Sequence, residues 1–231
     1  MLLKELRTAV LEANLELVKR GLVLYTFGNA SGIDRERGLI VIKPSGVDYD
    51  DLKPEHMVVT DLHGKIVDGN LKPSSDLDTH TLLYREFLTI GAVVHTHSEY
   101  ATSFAQAGLA IPALGTTHAD YFHGPVPVTA VLADEAIAGR YVHETGVAIV
   151  ERFKGLDPLA IPAVLVAGHA PFCWGRNPHE AAHNAVVLEA VARMAYRTLT
   201  LRSNCEGVSQ TLLDRHYFRK HGAAATYGQS S

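Results

Sequence analysis

The chain has 231 residues, 47% hydrophobic and 20% charged, with a formal net charge of −4, the profile of a globular α/β domain with residues enough for a large core. No basic run is longer than a pair, so nothing resembles a nucleic-acid footprint, and no apolar run approaches the ~18 residues that span a bilayer. Cys173 and Cys205 stand in no disulfide or zinc spacing, and the first twenty residues carry charges at helical spacing instead of a signal-peptide core, so a cytoplasmic protein is expected.

Leu3, Leu6, Val10, Leu11, Leu15 and Val18 recur at helical spacing and Gly21 stands where a C-cap belongs, which predicts a first helix with one apolar face. Leu22–Phe27 and Leu39–Ile42 read as strands, separated by Gly28-Asn29-Ala30-Ser31 and the polar turn Asp34–Gly38. Met57–Leu62 and Lys65–Val67 read as a hairpin closed at His63-Gly64. Lys72-Pro73-Ser74-Ser75 then opens a helix over Asp76–Phe87.

The apolar run from Ala92 forms the next strand and ends in His95-Thr96-His97, followed by a helix near Glu99–Ala107 and a loop, Gly115–Gly124. Val126–Thr129 reads as a strand, Glu144–Lys154 as a helix, and Ala163–Ala167 as a β-branched run ending at Gly168-His169. Asn177 as N-cap, Pro178 at the first helical position and Glu180 at the third open the longest helix, Pro178–Leu201. After a polar break near Asn204–Gly207, a short helix over Thr211–His221 runs into the tail Ala223–Gly228. With no repeat, linker or low-complexity stretch, residues 1–231 read as one domain.

His95 and His97 lie one residue apart and so share a strand face, where two imidazoles form half of a tetrahedral metal site. Thirteen histidines in the chain give about one such pair by chance, so other ligands are required. His169 also follows an apolar strand; two strands ending at one sheet edge would bring the three histidines together with an open fourth position, a catalytic arrangement. Asp76, in the first turn of its helix, is a candidate fourth ligand or simply a complement to the helix dipole. Ser74 and Ser75 stand at that helix's N-terminus, where free N–H groups attract phosphate. The turns Gly28-Asn29 and Lys43-Pro44-Ser45-Gly46 could reach the same group.

Two further clusters stand out. His179-Glu180-Ala181-Ala182-His183 is a literal HExxH, but it occupies a helix start where Glu180 has a capping role, and the zincin extension does not follow it. Thr116-Thr117-His118-Ala119-Asp120-Tyr121 places a carboxylate in a glycine-flanked loop, and Tyr227 lies in the tail beyond His216, Lys220 and His221, where it would act only if the tail docks onto an active site.

At these residues the chain resembles the class II aldolase/epimerase family, in its epimerase branch. The blocks run nearly the whole length: Glu12–Leu15, Gly28-Asn29, Val41–Tyr49, Lys72–Asp76, Val94–Ser98, Gly115–Phe122, Gly168–Phe172, Leu212–Tyr217 and Tyr227–Gln229. The resemblance implies a three-layer α/β/α sandwich on a largely antiparallel central sheet. It implies a homotetramer in which the C-terminal tail, about residues 209–231, contributes to an intersubunit active site. It also implies Asp76, His95, His97 and His169 as ligands of Zn2+, with Mn2+ or Co2+ also compatible. Gly28, Asn29, Lys43, Ser45, Gly46, Ser74 and Ser75 would bind a sugar-phosphate substrate. Asp120 and Tyr227, the latter from the adjacent subunit, would be the proton-transfer pair, with His216 in support. Relatives often carry a histidine two before the third ligand; Ala167 stands there, so that position is not expected to matter for metal.

The implied reaction is epimerisation of L-ribulose 5-phosphate to D-xylulose 5-phosphate at C4. That carbon is not next to the carbonyl, so simple deprotonation is hard, whereas retro-aldol cleavage of C3–C4 leaves an enediolate that a metal stabilises as a Lewis acid. Re-attack on the rotated aldehyde completes the inversion. A class II sugar-phosphate aldolase, acting for example on L-fuculose 1-phosphate, is the close alternative; those enzymes carry Glu where this chain has Asp76. A zincin protease and a non-catalytic metal-stabilised module are the more distant ones.

Overall fold

Small side chains decide where this sheet is crossed closely. The computed structural model describes residues 1–221 and 225. Its strands are β1 (Asn29–Asp34), β2 (Leu39–Ile42), β3 (Val58–Asp61), β4 (Ile66–Asp68), β5 (Ala92–His95), β6 (Ala163–Leu165) and β7 (Pro171–Gly175). They form a seven-stranded sheet in the order β4-β3-β2-β1-β5-β7-β6, every neighbouring pair antiparallel. The helices are α1 (Lys4–Lys19), α2 (Leu77–Glu86), α3 (Glu99–Gln106), α4 (Thr116–Ala119), α5 (Asp134–Ala138), α6 (Tyr141–Arg152), α7 (Pro178–Leu201) and α8 (Gln210–His221). The three-layer mixed α/β arrangement on an antiparallel sheet is as expected. No helix among the described residues is long and apolar enough to cross a membrane.

Helices α1 and α7 pack on each other and on the central strands, while α2 and α6 pair beyond the opposite face. On that second face Phe87, just after α2, and Phe153, just after α6, meet Trp174 of β7 with ring centroids 5.3 and 4.9 Å away. Trp174 is wholly buried and its indole N–H donates to the Pro158 carbonyl at 2.6 Å, which removes the cost of enclosing a polar group. The α7 start is capped at both ends of a short loop: Asn177 Oδ1 accepts from the Glu180 N–H at 2.9 Å, and Glu180 Oε2 accepts at 2.7 Å from the N–H of Arg176, the residue before the N-cap.

Several predicted elements differ. Leu22–Phe27 is not a strand: Leu22 and Val23 are buried, but Tyr25 takes a positive φ of 52°, which breaks the extended run and leaves its side chain 85% exposed. The central strand is instead β1, built from the small polar segment that reads as a connector. Small residues are needed there because a Cβ on Gly32 would lie 2.9 Å from Leu6 Cδ1 of α1 and 3.1 Å from Pro178 Cγ of α7. Val126–Thr129 forms only isolated bridges, Val126 with Ile111 and Val128 with Leu165. Strand β7 and helices α4, inside the expected loop Gly115–Gly124, and α5 are additions, and α6 starts at Tyr141, not Glu144. The tail after His221 lies outside the described residues apart from Ala225.

Arg7 locks α1 to the sheet edge. It is 1% exposed, with Nε donating to the Leu2 carbonyl at 2.8 Å, Nη1 to the Met57 carbonyl at 2.6 Å and Nη2 to the Asp68 carboxylate. Replacing it leaves the buried Met57 carbonyl without this donor and unpairs the partly exposed Asp68 carboxylate. Arg7→Met is expected to lower unfolding free energy in urea by about 2–4 kcal/mol; a loss under about 0.5 kcal/mol would show that this tie contributes little.

Candidate metal centre

The pairing of β5 with β1 and β7 sets the site. Asn29 lies opposite His95 on one side and Phe172 opposite it on the other, so three site residues form one row across three strands. The His95 ring is buried, its Nδ1 lies 2.9 Å from the Pro171 carbonyl and it stacks on Phe172 at 4.2 Å with 20° between planes. A carbonyl only accepts, so Nδ1 carries the proton and Nε2 presents a lone pair to the cavity.

That lone pair faces two more histidines. His97 follows β5, and His169 sits on the turn between β6 and β7, where Gly168 takes φ 70° and its N–H donates to the Ala105 carbonyl at 2.9 Å. Ligand atoms of His95, His97 and His169 all lie within 4.8 Å of one another, and His95 Nε2 is 3.1 Å from His97 Nε2. Two nitrogens on a tetrahedral zinc ion would be about 3.3 Å apart, so the donor set fits that ion. His169 Nδ1 is buried without a hydrogen-bond partner. Asp76, just ahead of α2, accepts from Asn29 Nδ2 at 2.6 Å through Oδ2.

The electrostatics favour a cation. Burial pushes His95 down to about 3 and also lowers His97 and His169, with the Asp76 charge acting in the other direction. Burial alone would raise the Asp76 carboxyl, but His95, His80 and the Asn29 hydrogen bond hold it below the ordinary carboxylate range. Near neutral pH the cluster is therefore three uncharged imidazoles and one carboxylate, the protonation states that bind a metal.

Gly28, Asn29, Lys43, Ser45, Gly46, Ser74 and Ser75 line one cavity of about 490 Å³ together with Asp76, His95, His97 and His169. The two serine turns are held side by side: the Ser45 N–H donates to the Lys72 carbonyl and the Ser74 N–H to the Lys43 carbonyl, both at 2.9 Å. Gly28 presses on the metal strand, since a Cβ there would lie 2.7 Å from the His95 carbonyl oxygen, and its φ is 103°. Lys43 supports the cradle from below. It is 2% exposed, its Nζ donates to the Val47 carbonyl at 2.9 Å and lies 4.5 Å over the Tyr49 ring, and burial lowers it to about 8.

Asp120 and His216 come together, but not in that cavity. His216 Nδ1 lies 3.0 Å from Asp120 Oδ1, and Arg219 brackets the same carboxylate with Nη2 at 3.0 and 3.1 Å from its two oxygens. Burial would raise Asp120, but these hydrogen bonds and the Lys220 charge hold it low. Tyr227 lies outside the described residues. Arg219 is absent from the sequence-based set; its signal is that His216, Arg219 and Lys220 share one face of α8 at helical spacing. Also unforeseen are Phe27, whose ring lies 6.5 Å from His97, and Tyr141, whose ring lies 6.0 Å from His169.

The HExxH pair goes elsewhere. His179 and His183 line a groove between α1 and α7 facing Glu12 and Glu16, while Glu180 is engaged by the Arg176 backbone and guanidinium. Among the described residues only His95, His97 and His169 bring three ligand atoms within 4.8 Å.

Residues 8–196 match the model of the family described as Class II Aldolase and Adducin N-terminal domain. The fold is similar to a solved L-fuculose 1-phosphate aldolase, with a TM-score of 0.76, 24% identity, and 94% of this chain and 96% of that one covered. It is similar to L-fuculose-1-phosphate aldolase from Thermus thermophilus, with a TM-score of 0.69, 23% identity and 88% and 100% covered. A sugar-phosphate aldolase from Thermotoga maritima superposes with a TM-score of 0.65 at 21% identity, with 87% and 98% covered.

His95→Ala and His97→Ala are expected to lose bound zinc while His183→Ala retains it, read by elemental analysis of purified protein; equal loss in all three would remove the site from this cavity. Lowered histidines bind metal without proton competition until the pH falls beneath their ordinary range. Zinc occupancy at limiting metal is therefore expected to stay flat from about pH 8 to about pH 6 and to fall below that. A midpoint at or above about 6.5 would contradict the burial effect.

Proposed function

The chain belongs to the class II aldolase and adducin N-terminal domain family, and from that premise we propose that it interconverts L-ribulose 5-phosphate and D-xylulose 5-phosphate by breaking and re-forming C3–C4. One observation carries the reading: three histidines with ligand atoms within 4.8 Å of one another, with Asp76 and two paired serine turns, line one cavity of about 490 Å³. A divalent cation, zinc or alternatively manganese or cobalt, supplies Lewis-acid stabilisation of the charge that cleavage leaves on the ketose-derived fragment.

The chain's own residues do the rest. Asp76, His95, His97 and His169 hold the cation. Ser45, Gly46, Ser74 and Ser75 bind the phosphate at the N-terminus of α2, where the helix dipole adds to the hydroxyls and to the N–H groups not already taken by the Lys43 and Lys72 carbonyls, with Gly28 and Asn29 closing the near wall. Lys43 supports the turn that carries Ser45 and Gly46. The phosphate tether keeps the aldehyde fragment in place while it rotates to offer its other face.

Inversion then needs one proton-transfer group on each side. Asp120, held ionised by His216 and Arg219, suits the role of acceptor, and Tyr227 that of donor. Because Asp120 does not line the metal cavity, this reading has the Asp120 cluster and the tail, about residues 209–231, reach the cavity of a neighbouring copy in a homotetramer.

A sugar-phosphate aldolase is the second reading, supported by the fold it shares with the solved aldolases. It would use the same cavity and release the aldehyde. The shorter Asp76, occupied by Asn29, favours a ligand over a free proton donor at that position. A coupled assay separates the two: purified enzyme supplied with L-ribulose 5-phosphate is expected to form D-xylulose 5-phosphate without accumulating free aldehyde. Asp120→Asn is expected to lower kcat by about 10²–10⁴ with bound zinc retained. Rapid aldehyde release without xylulose 5-phosphate would establish the aldolase instead.

A further inference from the structure

Beneath Asp76 runs a buried chain of polar groups that the reaction above does not use. His80 lies one helical turn along α2, its N–H donating to the Asp76 carbonyl at 3.1 Å. The His80 ring is 0% exposed. Its Nδ1 is 2.7 Å from Ser31 Oγ, which is in turn 2.7 Å from the Tyr84 hydroxyl. The other ring nitrogen, Nε2, is buried with no hydrogen-bond partner. Buried polar atoms without a partner are rare in folded proteins and call for a physical reason.

The anchoring of the ring offers one. Tyr84, Ser31 and His80 Nδ1 form one hydrogen-bonded chain, which fixes the imidazole from that side. Burial keeps the ring uncharged, lowering it to about 4, so it adds no positive charge to repel a cation. The same ring meets Phe172 edge-on at 6.1 Å, and Phe172 is the surface on which His95 stacks.

We infer that His80 is a positioning residue of the metal centre: the Tyr84–Ser31–His80 chain fixes a buried ring one helical turn along α2 from Asp76 and against Phe172, the ring on which His95 stacks. This rests on the reading that Asp76 and the three histidines bind a divalent metal. Groups that hold metal ligands from behind set their orientation, and losing one weakens metal affinity by about 10–100-fold.

The experiment is competitive chelation. Zinc-loaded wild type, His80→Leu, His80→Gln and Tyr84→Phe are titrated with a chelator, and the concentration at half-loss of zinc is read alongside the thermal midpoints of the metal-free forms. His80→Leu is expected to release zinc at about 10–100-fold less chelator. His80→Gln, which restores a hydrogen-bond partner for Ser31, is expected to recover part of that loss, and Tyr84→Phe to shift in the same direction as His80→Leu by a smaller factor. Tyr84→Phe keeps the buried ring, so it decides the matter if His80→Leu does not fold. Lower thermal midpoints with an unchanged half-loss concentration would mean a purely structural network and overturn the inference. Wild type that takes up no stoichiometric zinc would overturn the metal reading and this inference together, an outcome distinct from equal affinity across the set.

Discussion

The site depends on the antiparallel contact of β5 with a strand on each side. That pairing sets Asn29, His95 and Phe172 in one row, and the start of β7 supplies the carbonyl that fixes the His95 tautomer. Gly28 lies against the His95 carbonyl closely enough to exclude any side chain there. A shift of this ladder by one residue would turn His95 to the other face and separate it from Phe172.

Around that row the protein concentrates acceptors for a cation and donors for an anion. Three imidazoles held uncharged by burial stand beside one carboxylate kept ionised by its neighbours. The serine turns lie next to them, held together by reciprocal bonds between the segments around Pro44 and Pro73. Lys43 contributes through shape: enclosed under the turn and donating to its carbonyls, it fixes the backbone that Ser45 and Gly46 present. The Asp120 cluster is built on the opposite electrostatic plan, a carboxylate gripped by a histidine, an arginine and a lysine.

Much of this was legible in the residues because the signals were local. Two histidines at the end of an apolar strand, a third after another, and a serine pair at a helix start each follow from strand alternation and helix-end chemistry, and all of them line the one cavity. The HExxH segment was legible as a helix start for the same reason, since Asn177 and Glu180 carry the pattern of a capping box. Strand β1 was not: its Asn-Ala-Ser-Gly segment lacks the β-branched alternation of a strand, and it is held extended by pairing with β2 and β5, with α1 and α7 leaving no room for a side chain at Gly32. Leu22–Phe27 has the apolar and aromatic residues of a strand, yet Tyr25 turns the backbone out of line.

By itself the sequence determined which residue types stand at strand ends and helix starts, and through them the three histidines and the serine turns that share one cavity and the capping of α7. Those are short-range consequences of backbone geometry. Only the tertiary structure decided that Lys43 points under its turn, that Asp120 is bracketed by Arg219 away from the metal cavity, and that His80, Ser31 and Tyr84 join behind Asp76. Each of these arises from contacts between segments distant in the chain, where packing and burial set the partners and no local pattern records them.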